Sequence, residues 1–238
     1  APHGDAAAPS VLEALSRATT TPAAAAQPVE PLLVYVAAHG EAGRLARDNH
    51  LVLWGGSSLT AAGLAAALDA VARARPLRLV MTSCFSGGFA EIIFVGADEA
   101  RGPSPQDRCG LFASTWDTEA SGCDPNPDRR AQESYGLHFL HALDSRDRAG
   151  ESLPRASLDL DGDGAISLLE AHTRARIASR ALGVPTTTSE RWLRHATATA
   201  GPVARAADAD PRALPEEQAV IAALGAELGL HDAIQARQ

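Results

Sequence analysis

Two largely apolar runs, LLVYVAA over residues 32–38 and LRLVMTS over residues 77–83, constrain this chain more than any other feature. Each is short and rich in β-formers, with a proline just before it (Pro31, Pro76) and a turn just after it. That is the pattern of strands buried on both faces. A hairpin-like stretch, HLVLWGG, follows the first run, and Ser58 or Thr60 then opens a helical segment, LTAAGLAAALDAVARA, that stops before Pro76. Strand, helix, strand is a βαβ crossover, which is right-handed in nearly all cases and makes its two strands parallel neighbours. The expected class is α/β.

Composition removes several functions. The 238 residues carry 21 basic against 29 acidic side chains, a formal charge of −8. The basic residues are all arginine and form no dense cluster, so nucleic acid is not an expected partner. No apolar run approaches the roughly 20 residues that span a bilayer. The chain starts at Ala1 without a methionine or a signal-peptide apolar region, and removal of its beginning is expected. The absence of a spanning run makes a soluble protein the expectation, with cytoplasm and periplasm or secretion both left open, and abundant alanine without lysine points to a GC-rich bacterial source.

The crossover places two reactive residues together. His39 and Cys84 each follow the C-terminal end of a strand, the edge at which open parallel sheets bind ligands. A histidine within reach of a cysteine can take its proton or hold the thiolate as an ion pair. The N–H groups of Gly40 and Cys84 are then candidate donors to an oxyanion, and Gly40 and Gly87 leave room for a substrate backbone. Taken singly, each residue would read as a packed cysteine and a loop histidine; their paired placement favours catalysis. A hydrolase of the α/β-hydrolase type would need glycine at 82 and 86, where Thr82 and Ser86 stand.

An apolar strand ending in His-Gly, a helix, and a second strand ending in Cys-x-Ser-Gly resembles the caspase-type fold of caspases, metacaspases and legumains, over roughly residues 32–143. The segment LFASTWDTEASGCDPNPD is similar to the strand and loop that wall the legumain cleft. The resemblance implies a mainly parallel β-sheet with helices on both faces, and a cysteine endopeptidase acting on a peptide or protein substrate. It also implies that Ser114, Thr115 and Trp116 line the substrate pocket and offer backbone to an extended peptide. Thr82 stands where metacaspases carry an acidic residue and caspases a glutamine, so specificity is open between asparagine and a basic residue met by Asp117 or Glu119. The family's first strands are absent from residues 1–31, which makes the chain's own missing N-terminal segment a candidate partner. The segment VGADEARGPSPQDR lies where caspases are cut, and self-cleavage near Arg101 or Arg108 is the attached expectation.

A second motif stands apart. Residues 159–170, DLDGDGAISLLE, match the twelve-residue EF-hand loop at every fixed position. Asp159, Asp161 and Asp163 would give oxygens at positions 1, 3 and 5, Ala165 its carbonyl, Ser167 a direct or water-mediated contact, and Glu170 two oxygens, with Gly164 at the sharp turn. Three aspartates in five residues repel one another without a cation, which favours Ca2+ over a merely acidic helix start. A helix over SLLEAHTRARIASRAL should leave the loop, whereas Pro154 weakens the helix entering it. Cys109 and Cys123 could close a disulfide worth roughly 3 kcal/mol in an oxidising compartment, or remain thiols in a reducing one. His138, His141 and His172 are assigned no chemistry.

The expected organisation is a linker and short helix capped by Ser10 over 1–31, a caspase-like core over 32–150, an EF-hand-like calcium loop and helix over 151–182, and a helical extension over 183–238. The helices of that extension are SERWLRHATA and an amphipathic PEEQAVIAALGAELGL. The expected function is a cysteine endopeptidase, with calcium dependence and self-processing attached. A catalytically silent, calcium-binding interaction module is the alternative.

Overall fold

A computed structural model describes residues 5–20, 29–71, 75–122, 128, 133–179, 184–200 and 214–229. Helix α1 covers Ala8–Thr19, and a strand β1 covers Leu32–Val36. Three short strands follow, β2 (His39–Glu41), β3 (His50–Val52) and β4 (Ser58–Thr60), then helix α2 (Ala61–Asp69). Strand β5 is Leu77–Met81 and β6 is Arg108–Phe112, with a 3-10 run over Ser86–Ile93 between them. Beyond lie α3 (Tyr135–Asp144), α4 (Leu168–Ala178), β7 (Thr186–Thr187), α5 (Thr188–Ala200) and α6 (Pro215–Leu228).

The described residues form two compact units, one of residues 1–123 with 182–201, the other of residues 124–181 with 202–238. This division differs from the sequence-based one. Helix α3 groups with α4 and α6 rather than with the strands, because Tyr135, Phe139 and Ala142 are buried in the second unit. Residues 184–200 return to the first unit through β7.

In the first unit a four-stranded sheet runs β1-β5-β6-β7, and β2-β3-β4 form a separate antiparallel sheet. β1 and β6 both pair parallel to β5, and β7 closes antiparallel on β6. The molecule is therefore α/β with a mostly parallel mixed sheet. β5 is buried at Leu77, Leu79, Val80 and Met81, as expected of a central strand, with Arg78 alone partly exposed. β1 is not buried on both faces: Leu33 and Tyr35, on one face, are 54% and 41% exposed because no described element covers them fully.

Helix α2 begins where Thr60 accepts from the Gly63 N–H at 2.9 Å, satisfying one of the donors a helix start leaves unpaired. Its Ala61, Leu64, Ala65 and Leu68 enter one core with Leu77, Leu79, Met81, Phe89, Ile92 and Phe112. Helix α1 starts earlier than expected. Its cap is Ala7 with Pro9 in the first turn, and Ser10 instead donates to Asp5 at 2.5 Å.

Candidate active site and an acidic loop

The register of β1 on β5 fixes the relation between His39 and Cys84. Val36 pairs with Met81, and each reactive residue stands three positions beyond that pair (39 − 36 and 84 − 81). Parallel neighbours of equal overhang deliver both to the C-terminal edge of the sheet. Gly40 brings the two segments into contact: a Cβ added there would lie 2.1 Å from the carbonyl oxygen of Cys84. His39 is exposed on β2, while Cys84 is 9% exposed and its Sγ accepts from the Ala120 N–H at 3.4 Å.

Directly after Cys84 the chain reverses through Phe85, a non-glycine residue in the left-handed region (φ 56°). Such a backbone costs on the order of 1–2 kcal/mol and persists only where its surroundings impose it. Here the Phe85 N–H donates to the Thr118 carbonyl at 2.9 Å, and its carbonyl accepts from the Gly88 N–H at 3.1 Å. The carbonyl also accepts from the side-chain amide of Asn49 at 2.9 Å. Gly40 and Gly87 are expected to leave room for substrate, but the chain itself fills it, at Gly88 as well. A Cβ at Gly87 would meet the Ser114 carbonyl at 2.6 Å, and one at Gly88 the Ala46 carbonyl at 2.4 Å.

The residues expected to wall the cleft divide into three groups. Thr115 and Trp116, with Ala46, Gly87, Glu91 and Arg191, line a cavity of about 260 Å³ beside this loop. Ser114 is fully buried beneath it, whereas Asp117 and Glu119 are exposed and do not line it. Thr82 sits between the strand ends, its N–H and hydroxyl both bonding the Val36 carbonyl (3.0 and 3.3 Å). The hydroxyl oxygens of Ser83, Ser86 and Ser114 are buried without a hydrogen-bond partner, which leaves unspent donors around Cys84.

Two further features of this unit escaped the sequence reading. Asn49 is completely buried, and nothing in the stretch RDNH marks it. Glu91, 8% exposed, holds Arg191 through both oxygens (2.6 and 3.0 Å), and Arg191 also bonds Glu99 at 2.6 Å. Burial would pull the guanidinium pKa down, but these carboxylates outweigh it and hold the pKa above its ordinary value. The partners lie 100 residues apart in sequence, so no local motif could reveal them.

The segment between the cysteine and β6 is more ordered than its composition suggests. It is folded by the Val95 N–H to Gly102 carbonyl bond (3.1 Å) and the Ser104 N–H to Ile93 carbonyl bond (2.6 Å). Arg108 belongs to strand β6, is 8% exposed and bonds Asp69 at 2.7 Å, so it offers no exposed bond for cleavage. Arg101 is exposed. Cys109 is not in a disulfide, and its suggested partner Cys123 lies outside the described residues.

In the second unit, oxygens of Asp159, Asp161 and Glu170 lie within 4.8 Å of one another, and this cluster could hold a metal ion. Gly162 and Gly164 take left-handed backbones (φ 76° and 89°), which fold the acids inward. The Asp159 side chain is 9% exposed; one oxygen meets Arg155 at 3.1 Å and the Gly164 N–H at 3.2 Å. The other, Oδ1, is buried without a hydrogen-bond partner. Glu170 accepts from the Leu160 and Ser167 N–H groups (2.6 and 2.7 Å). Burial pushes its pKa up, but these backbone donors outweigh it and hold it below the ordinary carboxylate value.

The other expected ligands are engaged locally. Asp163 accepts from the Ala165 N–H at 2.7 Å, and the Ser167 hydroxyl caps α4 through the Glu170 N–H at 3.1 Å. Among the described residues, a 3-10 turn, Arg155–Ser157, stands directly before the loop, where an EF-hand has a helix. In α6, Val220 is buried while Ile221 and Leu228 are 63% and 69% exposed. No described helix is long and apolar enough to cross a membrane.

Compared with known proteins, the chain matches no family model and no curated protein.

Proposed function

We propose that this protein is a cysteine endopeptidase of caspase-like fold, similar to legumains, with Cys84 as nucleophile and His39 as general base and then acid. One observation carries the reading: His39 and Cys84 overhang a paired register position equally, at the sheet edge where parallel α/β folds place chemistry, with Gly40 packed on the Cys84 carbonyl. His39 takes the thiol proton and Sγ attacks the scissile carbonyl carbon. The C–N bond breaks as His39 returns the proton to the leaving amine. Water then cleaves the thioester, giving its proton through His39 to Sγ. Backbone donors at Gly40 and Cys84 face the oxyanion, and the cavity lined by Thr115 and Trp116 receives a substrate side chain.

The ion suited to the acidic loop is calcium. Its donors are all hard oxygens, at the spacing of a twelve-residue calcium loop, and an unpaired buried carboxylate oxygen points to a cation.

The burial of Cys84 and the contact of its Sγ with Ala120 favour a second reading, a silent calcium-binding interaction module. Hydrolysis of a mixed fluorogenic peptide library separates the two, using wild type and Cys84→Ala, each in calcium and in chelator. Cleavage lost in Cys84→Ala supports the peptidase. Absence of cleavage in every condition, with Cys84 no more reactive to iodoacetamide than Cys109, supports the silent module.

A further inference from the structure

We propose that Asn49 is the positioning residue of the Cys84 loop, a role that rests on the reading of Cys84 as nucleophile. Every polar group of its side chain is committed. The amide donates to the Phe85 carbonyl at 2.9 Å and to the Trp116 carbonyl at 2.6 Å, and Oδ1 accepts from the Gly43 N–H at 2.8 Å. Its own carbonyl accepts from the Ala61 N–H at 2.9 Å, which ties the residue to the start of α2. One buried side chain thus joins three segments: the loop after the histidine strand, the turn after the cysteine, and the wall that lines the cavity.

The choice of residue follows from this geometry. Phe85 holds a left-handed backbone one position after the nucleophile, and that conformation turns the chain sharply where it leaves Cys84. A carbonyl so placed needs donors, and Asn supplies two N–H groups and one acceptor on a short stem. Gly88 makes room for it, since a Cβ there would lie 2.6 Å from the Asn49 amide nitrogen. Asp keeps the shape and the acceptor for Gly43 but turns a carboxylate oxygen toward two carbonyls. Gln would overfill the site. Trp116 is reached through its backbone, so the same clamp sets the cavity wall against the reactive turn. It acts through the position of Cys84 and touches no reacting atom.

The test uses the full chain as wild type, Asn49→Asp, and Leu64→Ala as a control that lowers stability through the core of α2. The primary reading is the rate of iodoacetamide alkylation at Cys84, measured against Cys109 in the same sample. Asn49→Asp should alkylate Cys84 at least about tenfold more slowly than wild type. The deficit should narrow as pH is lowered, because the introduced carboxyl, once protonated, regains one O–H donor. Leu64→Ala, at an equal loss of Tm, should alkylate at the wild-type rate.

A wild-type rate in Asn49→Asp overturns the proposal, as does a deficit matched by Leu64→Ala. If Asn49→Asp does not fold, proton exchange of the Asn49 side-chain amide in the wild type decides. Slow exchange of both protons is expected, and fast exchange of both overturns the clamp. Where peptides are cleaved, kcat should fall in Asn49→Asp with KM within about threefold, the signature of a misplaced nucleophile rather than lost binding. Wild type that alkylates rapidly at Cys84 yet cleaves nothing would refute the peptidase and leave the alkylation comparison intact.

Discussion

The turn after β5 and the loop before α4 both gather polar groups, but they hold them by opposite means. The turn at Cys84 is pinned from outside itself. Asn49 and Thr118 each bond to Phe85, and Gly40, Gly87 and Gly88 let neighbouring backbone approach within contact. The acidic loop holds itself. Asp161 accepts from the Asp163 N–H at 3.0 Å, Asp163 from Ala165, and Asp159 from Gly164. A site built from long-range contacts is rigid before a ligand arrives, whereas one built from local turns keeps its charges in repulsion until a cation joins them.

Inserting one methyl group sharpens the contrast most. Gly40→Ala would drive a Cβ to 2.1 Å from the Cys84 carbonyl, and backbone cannot swing aside as a side-chain tip can. The expected cost is about 3 kcal/mol in urea denaturation, with activity down on the order of a hundredfold. The same change at Gly162 meets nothing within 4 Å and bears only the strain of its left-handed backbone, roughly 1–2 kcal/mol. Equal losses at the two positions would break the distinction.

Charge deletion separates the regions next. Arg191→Ala leaves Glu91, whose side chain is 11% exposed, without the cation that holds both its oxygens, and should destabilise the first unit by about 3 kcal/mol. Arg155→Ala removes a guanidinium that is 54% exposed and should cost no more than about 1 kcal/mol. Thermal melts of the two variants, followed by hydrogen exchange in β5 and α4, compare the two effects directly.

Calcium should act on the second region. At 100 times its Kd, an ion that binds only the folded loop stabilises it by about 2.7 kcal/mol. Slower exchange of the α4 amides is the expected reading, and Asp159→Asn should abolish it. No change in α4 exchange at millimolar calcium would remove the ion from the loop.

The two sites were legible in sequence for the same reasons that they differ. The acidic loop is a local pattern, so its six candidate ligands could be named from DLDGDGAISLLE, and the carboxylates of three of them, Asp159, Asp161 and Glu170, converge. The two buried strands and the edge that carries His39 and Cys84 followed from two apolar runs and a crossover rule, while the helix start stayed open between Ser58 and Thr60 until the structure showed Thr60 as the cap. What could not be read was every contact made at a distance. Asn49 reaches Trp116 across 67 positions and Arg191 reaches Glu91 across 100. Likewise, the exposure of β1 at Leu33 and Tyr35 depends on which elements cover it, while the run LLVYV reads like that of a central strand.

The smallest expected effect again divides the units, this time by pH. His138 lines a cavity of about 620 Å³ in the second unit, with its side chain 18% exposed. Burial lowers its pKa below the ordinary value; Glu133 opposes this, while Arg174 and His141 add to it. The folded state therefore favours the neutral ring. Stability present above pH 6.5 should be lost as pH falls through the lowered folded value, where the unfolded chain binds a proton that the folded one resists. Between pH 7.5 and 5.5 the second unit should lose about 1–3 °C in Tm, and His138→Gln should flatten that slope. In the first unit the bond from Arg191 lowers the Glu99 pKa, so its contribution is present above pH 4.5 and is lost only below it. A slope over the neutral range that survives His138→Gln would assign the titration to another group.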